Sequence, residues 1–228
     1  MLTAIIVAGG SGRRMGLDKT FAVVANKPAI AHAIAAFEAA PSVAAIIVVG
    51  RAARMEALRE LVVQEQFLKV RDLCAGGAER QDSVGQGLQR LPAETTYVAV
   101  HDAARLLITP AQIERVFEQA RRTGAAALAS PVRDTLKQAD ANGLVTGAIP
   151  REGVYAMETP QIFERTLLIR AYENVRAQQL SITDEVSAIA LLKEKVTVVP
   201  NESLNFKITF PADLQLAEII LQARARTS

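Results

Sequence analysis

The stretch from Val7 to Lys19 reads VAGGSGRRMGLDK and begins inside the apolar run LTAIIVA that opens the chain. Three glycines, Gly9, Gly10 and Gly12, fall within four positions, and the cations Arg13, Arg14 and Lys19 follow them. Glycines joining a first strand to a helix let backbone N–H groups close around an anion, so the pattern is a phosphate-binding one. The dinucleotide fingerprint requires a glycine where Met15 stands, and a P-loop requires one immediately before its lysine, where Asp18 stands. What remains suits a triphosphate, whose roughly four negative charges need cations as well as backbone dipoles. A solvated turn that happens to be basic is the plainer alternative. The same stretch decides the fold: strand, glycine loop, helix is the first unit of an α/β sheet.

The rest of the chain repeats that unit. Short apolar runs at Leu2–Ala8, Ala44–Gly50, Phe67–Leu73, Tyr97–His101, Ala125–Ser130 and Lys195–Pro200 read as strands buried on both faces. Helical stretches lie between them. Pro28 opens one at its first turn; Thr109-Pro110-Ala111-Gln112 is a capping box with proline at the first helical position, and Gly124 ends that helix. The expected class is α/β, a mostly parallel sheet flanked by helices. The segment Arg133–Tyr155 interrupts the alternation, and its Asn142-Gly143 turn between β-prone residues predicts a hairpin. Such an excursion is either an arm that packs on a partner subunit or a surface flap.

Composition narrows the function classes. The 228 residues are half hydrophobic, and 26 basic against 24 acidic side chains leave a net charge of +2, too little for a general nucleic-acid field. Cys74 is the single cysteine, which excludes an intramolecular disulfide and suits a reducing compartment. No apolar stretch approaches the roughly 20 residues of a membrane helix, and the first run has no charged region ahead of it. A cytoplasmic protein with no membrane contact is expected.

Three further clusters fall at strand ends, where open α/β sheets bind ligands. Gly76-Gly77-Ala78-Glu79-Arg80-Gln81-Asp82-Ser83 could line a base pocket through backbone groups and the Ser83 hydroxyl, or be a turn in which Asp82 caps the next helix. His101-Asp102-Ala103-Ala104-Arg105 ends a buried strand in an acid, either a phosphate–metal or substrate contact or an ion pair between Asp102 and Arg105. Ser181-Ile182-Thr183-Asp184-Glu185 is either a site segment or a helix start with Thr183 as its cap. The only two histidines, His32 and His101, gather with no carboxylates as a tight metal set, and neither is assigned a proton-transfer role.

Taken in order, VAGGSGRRM, GGAERQDSV, VHDAAR, PVRDT, TPQ, TDE and NFKITFPADL resemble the 2-C-methyl-D-erythritol 4-phosphate cytidylyltransferase family from Ile5 to about Leu221. Ala8-Gly9 stands where the family usually has two alanines, and Leu106 where it usually has proline. The resemblance implies a nucleotidyltransferase-type, Rossmann-like domain over 1–228, with no further domain after Ser228. It also implies an extended β-arm at about 133–156 through which two chains dimerise. The implied reaction transfers CMP from CTP to methylerythritol phosphate, with Mg2+ arriving on the triphosphate and keeping several waters.

By the same resemblance Arg14 and Lys19 stabilise the transition state, and Arg151 and Lys207 hold the attacking phosphate. Ala8, Gly9, Gly10, Gly12, Gly77 and Ser83 contact CTP, Gly12 as part of the glycine loop. Asp102, Arg105, Thr135, Thr159, Thr183 and Thr209 line the polyol phosphate site, with Thr135 and Arg151 reaching the neighbouring subunit from the arm.

Other functions fit less of the sequence. A cytidylyltransferase for another polyol phosphate, such as ribitol 5-phosphate, would share the loop and differ in the acceptor pocket. The glycine loop also resembles that of molybdenum-cofactor guanylyltransferases, against which HDAAR, TDE and the arm segment argue. A glycosyltransferase would need an Asp-x-Asp pair, and a non-catalytic nucleotide-binding regulator would leave Arg151 and Lys207 without a task.

Overall fold

The opening run forms β1 (Leu2–Val7), the middle of the main sheet in a computed structural model that describes residues 1–9 and 18–227. Its side chains alternate between two cores: Leu2, Ala4 and Ile6 face one, Ile5 and Val7 the other. A strand apolar at every position needs helices on both sides. A two-strand ribbon, β2 (Val23–Val24) and β3 (Lys27–Pro28), leads into α1 (Ala29–Ala39), then β4 (Val43–Gly50). After a 3-10 turn at Ala52–Arg54 come α2 (Met55–Gln64), β5 (Val70–Ala75), α3 (Arg80–Leu88) and β6 (Tyr97–Asp102). The second half runs α4 (Pro110–Thr123), β7 (Ala125–Pro131), β8 (Leu136–Ala139), β9 (Val145–Ile149) and β10 (Tyr155–Glu164). It ends with α5 (Arg165–Ala177), α6 (Glu185–Leu191), β11 (Thr197–Pro200) and α7 (Pro211–Thr227).

The main sheet has the order β11-β7-β10-β6-β1-β4-β5. Strand β10 runs antiparallel to both neighbours, and the other pairings are parallel. Ile30, Ile34 and Phe37 of α1, Leu58 and Leu61 of α2, and Ile113 and Val116 of α4 pack one face. Val84 of α3, Leu168 and Val175 of α5 and Ile189 of α6 pack the other. Helix α7 lies over a separate cluster, with Ala217 against Leu106, Leu107 and Ile208. Because the chain leaves β1 towards β4 on one side and returns to β6 on the other, the crevice between β1 and β6 is the switch point where such sheets bind ligands.

The capping box at Thr109 forms as its sequence predicts: Oγ1 accepts from Gln112 N at 3.3 Å, and Gln112 Oε1 accepts from Thr109 N at 2.9 Å. Gly124 ends α4 at φ +81°, left-handed backbone that glycine adopts freely. Pro28 precedes α1 as its cap instead of entering the first turn, because its N-terminal side pairs as β3. The hairpin expected around Asn142-Gly143 is β8 and β9. Its turn is fastened by Asp140, whose Oδ1 accepts from both Asn142 N and Leu144 N at 2.9 Å.

Three expectations need correction. The strand expected at Phe67–Leu73 is β5, three residues later: Gln66 turns the chain at positive φ, Phe67 is spent as a buried plug, and pairing with β4 begins at Val70. Both β5 and β11 are edge strands, half exposed and not buried on both faces. Strand β10 is a ten-residue element that the apolar runs did not predict, since Met157-Glu158-Thr159-Pro160-Gln161 breaks hydrophobic continuity with groups that prove to be buried and hydrogen-bonded.

Candidate active site

Loops from β1, β5 and β6, the start of β10 and the irregular segment 201–209 converge at the switch point. Val7, at the end of β1, accepts from Ala103 N at 3.0 Å, and Ala8 N donates to Val49 O at 2.7 Å. Gly9 closes against α3: a Cβ there would lie 3.2 Å from Ser83 Oγ. Gly77 N donates to the same Oγ at 3.2 Å, so Ala8, Gly9, Gly77 and Ser83 meet on one wall. At Gly77 a Cβ would fall 2.3 Å from Asp82 Cβ, and only a bare backbone fits. The N-cap of α3 is Glu79, and Asp82 supports it from the first turn as half of a capping box, its Oδ2 accepting from Glu79 N at 3.0 Å, while the Ser83 hydroxyl donates to Glu79 O at 3.1 Å. Gly10, Gly12, Arg13 and Arg14 lie outside the described residues.

Asp102 ends β6, almost fully buried. Its Oδ1 accepts from Arg80 Nε at 2.8 Å and its Oδ2 from Lys207 Nζ at 2.6 Å. Burial by itself would raise its pKa; the two cations more than reverse that and hold the carboxyl well below the usual carboxylate range. The ion pair that the sequence suggested between Asp102 and Arg105 is therefore not the one formed. Arg105 donates instead to two carbonyls, Asn205 O at 2.9 Å and Met157 O at 3.1 Å. Its Nε is buried and has no hydrogen-bond partner among the described residues, and the same holds for Asn205 Oδ1.

Thr159 binds the turn from the other side, accepting from Asp102 N at 3.1 Å and meeting His101 Nδ1 at 3.0 Å. His101 Nε2 faces the Arg105 carbonyl at 3.2 Å. A carbonyl can only accept, so Nε2 carries the hydrogen and Nδ1 accepts from the Thr159 hydroxyl. His101 is thus a strand-end brace. Burial lowers its pKa to about 3, with the charge of Asp102 offsetting only part of the effect.

An unfolded histidine takes its proton near pH 6.5, at about the ordinary value. Between there and about pH 3 the unfolded chain binds a proton that the folded chain refuses. Stability is expected to fall on acidification through that window, by up to about 1.4 kcal/mol per pH unit. His32, also lowered by burial, adds to the same trend. Urea midpoints at about pH 7 and pH 5 should show the drop, less steeply in His101→Gln. Equal drops in both proteins would remove His101 as a source.

The segment 201–209 has no regular structure, yet a polar hub under it fixes its course. Glu158 Oε2 accepts from Asn201 Nδ2 and Asn205 Nδ2, each at 2.9 Å, and Oε1 accepts from Ser130. Gln112 of α4 donates to Asn201 Oδ1 at 2.8 Å. Ile208 then pairs its N–H with Ala104 O at 2.8 Å, and its carbonyl accepts from Lys19 Nζ at 3.1 Å. The segment thus carries Lys207 and holds Lys19. Thr209 belongs mainly to the start of α7: its N–H donates to Asp213 Oδ2 at 2.7 Å, and its hydroxyl to Lys207 O.

Two groups of expected residues lie apart from this cluster's hydrogen bonds. Arg151 Nη1 donates to Arg133 O at 2.6 Å, within the hairpin, and Thr135 is exposed at its base. Thr183 is exposed with its hydroxyl 3.1 Å from Ser187 Oγ, and the cap of α6 is Asp184, which accepts from Ser187 N at 3.0 Å. Arg80, Glu185 and Glu158 received no role from the sequence. The first two stood inside quoted motifs as charged residues at strand or helix ends, and that placement was the available signal. Among the described residues no three of His, Cys, Asp or Glu gather to hold a metal ion.

Known proteins resemble the chain along nearly its whole length. The family profile described as 2-C-methyl-D-erythritol 4-phosphate cytidylyltransferase matches residues 2–223. A protein of that name from Dehalococcoides mccartyi is 39% identical over 220 residues, 96% of this chain and 95% of its own length. The crystal structure of 4-diphosphocytidyl-2C-methyl-D-erythritol synthase from Anaerococcus prevotii superposes with a TM-score of 0.85 at 26% identity, covering 97% of this chain and 98% of that one. A 2-C-methyl-D-erythritol 4-phosphate cytidylyltransferase from Thermus thermophilus gives 0.80 at 29% identity over 96% and 98%.

Proposed function

The chain belongs to the 2-C-methyl-D-erythritol 4-phosphate cytidylyltransferase family and transfers CMP from CTP to methylerythritol phosphate in non-mevalonate isoprenoid biosynthesis, and we propose that Lys19, Arg105 and Lys207 carry much of that work. An oxygen of the acceptor phosphate attacks the α-phosphorus of CTP, a new P–O bond forms, and the bond to the β-phosphate breaks to release pyrophosphate. The attacking oxygen is already ionised near neutral pH, so positioning and charge neutralisation suffice and no general base is required. A neutral, fully braced His101 is consistent with that economy.

The observation that carries the assignment is the convergence of Lys19, Asp102, Arg105 and Lys207 beside the wall built by Gly9, Gly77 and Ser83. Ala8, Gly9, Gly10, Gly12, Gly77 and Ser83 would contact CTP, with Arg14 and Lys19 at its phosphates. Lys207 would hold the acceptor phosphate. The unpartnered Nε of Arg105 and Oδ1 of Asn205 are buried polar atoms that a polyol phosphate can satisfy. Asp102, Thr159, Thr183 and Thr209 complete the acceptor side.

Asp102 gives Oδ1 to Arg80 and Oδ2 to Lys207. Magnesium would arrive on the triphosphate and supply charge neutralisation there. Turnover with CTP and not GTP is the expected nucleotide specificity, and equal rates with both would remove the cytidylyltransferase reading.

The protein would work as a homodimer in the cytoplasm. The hairpin exposes Leu144, Val145, Ile149 and Tyr155, apolar surface suited to a second copy of the chain. No described helix is long and apolar enough to cross a membrane. From the hairpin, Thr135 and Arg151 would reach the neighbour's acceptor. Arg151→Ala is expected to raise the acceptor KM about tenfold with CTP affinity nearly intact. Mixed dimers of Arg151→Ala with Lys19→Ala should regain one working site; no recovery would favour sites built within one chain.

A further inference from the structure

Glu185 opens α6 with its side chain wholly buried, and the reaction as described leaves it no task. Its oxygens accept from Arg80 Nη1 at 2.7 Å and Nη2 at 3.0 Å, and the Tyr172 hydroxyl adds a third bond to Oε1 at 2.8 Å. The fork fixes the guanidinium plane, because two parallel N–H bonds leave it no rotation. Arg80 then turns only its Nε to Asp102 Oδ1, and Asp102 presents Oδ2 to Lys207. Charges therefore alternate Glu185, Arg80, Asp102, Lys207, from helices on one face of the sheet to the irregular segment at its edge.

Lys207 is the one member whose side chain stands substantially in solvent, 40% exposed. Its ammonium has three N–H donors, of which Asp102 takes one, so others can meet a phosphate without the pair breaking. A lysine held in one rotamer before its ligand arrives loses less freedom on binding. The far end of the chain is suited to holding. Burial and the charge of Glu185 keep the Tyr172 hydroxyl protonated as a donor, and burial of Arg80 is outweighed by its two carboxylates, which keep it charged.

We propose that Glu185, braced by Tyr172, is a positioning residue for the acceptor: it clamps Arg80, Arg80 fixes Asp102, and Asp102 sets the ammonium of Lys207 where the acceptor phosphate binds. This inference rests on the assignment of Lys207 to that phosphate. A merely structural Glu185 would lower the amount of folded enzyme without changing KM. A positioning Glu185 changes the acceptor KM through Lys207 and loses its effect when Lys207 is absent.

The test measures kcat and KM for both substrates, with melting temperature alongside, in Glu185→Gln and Tyr172→Phe, each alone and combined with Lys207→Ala. Glu185→Gln should raise the acceptor KM about tenfold and move the CTP KM by no more than about twofold. Tyr172→Phe, which keeps the ion pairs, should act in the same direction by about two- to threefold. In the Lys207→Ala background both effects should shrink to within about twofold of none. If Glu185→Gln does not fold, Tyr172→Phe decides by the same comparison. A raised acceptor KM in Lys207→Ala together with a Glu185 or Tyr172 effect that persists undiminished there overturns the inference alone. An unchanged acceptor KM in Lys207→Ala itself overturns the assignment of Lys207, and the inference with it.

Discussion

Replacing Lys19 with alanine should lower kcat by about 10²- to 10³-fold, the loss expected when one preorganised group facing developing charge is removed. CTP affinity should fall far less. Negative charge shifts onto the leaving pyrophosphate and the equatorial oxygens only as the bond breaks, so the cation is needed most in the transition state. Lys19 does not hang free: its Nζ reaches the Ile208 carbonyl at 3.1 Å, and Ile208 is itself pinned through its N–H to Ala104. Asp18, just before it, accepts from Thr20 N at 3.3 Å and from Arg54 Nε at 2.8 Å, which fastens the turn carrying the lysine. Steady-state kinetics with nucleotide binding measured separately give the split. Wild-type kcat in Lys19→Ala would take the residue out of the mechanism.

Lys207→Ala should lower kcat/KM for the acceptor by about a hundredfold, carried mainly by KM, with CTP binding nearly unchanged. The protein should remain folded. Lys207 lies at the surface end of its pair, and without it Asp102 still accepts from Arg80 at 2.8 Å. The opposite truncation is harsher: in Asp102→Ala the mostly buried Arg80 keeps its fork to Glu185 but loses the partner of its Nε, and a buried donor left unsatisfied costs about 1 to 3 kcal/mol. A Lys207→Ala enzyme with an intact melting temperature and an unchanged acceptor KM would place the acceptor phosphate elsewhere.

Much of the fold was legible because it rests on local rules. The apolar run at the N-terminus, the capping box at Thr109, the left-handed glycine at Gly124 and the Asn142-Gly143 turn each carry their instruction in a few adjacent residues. Strand β10 was not legible, because its buried groups are polar. Glu158, Thr159 and Gln161 carry no strand pattern of their own; β7, β6, α6 and the segment 201–209 supply the partners that bury them. Phe67 misled in the opposite sense, as an apolar residue that plugs the core from a turn.

The site divides along the same line. Motif order was enough to locate Gly9, Gly77, Ser83, Asp102, Arg105 and Lys207 near one another. It could not say which cation Asp102 takes, since Arg80, Arg105 and Lys207 compete and the choice depends on side-chain geometry across three elements. Arg105 goes instead to the backbone carbonyls of Asn205 and Met157. Glu185 was hidden for a further reason: an acid in the first turn of a helix already has a sufficient explanation in the helix dipole, and nothing local reveals that it is buried against an arginine from α3.

This arrangement of cations is expected to serve one acceptor. Pyrophosphate release from CTP with magnesium, with methylerythritol 4-phosphate and ribitol 5-phosphate offered in parallel, tests it most directly. Release with methylerythritol phosphate alone is expected; release with ribitol phosphate alone, or with neither, would contradict that acceptor.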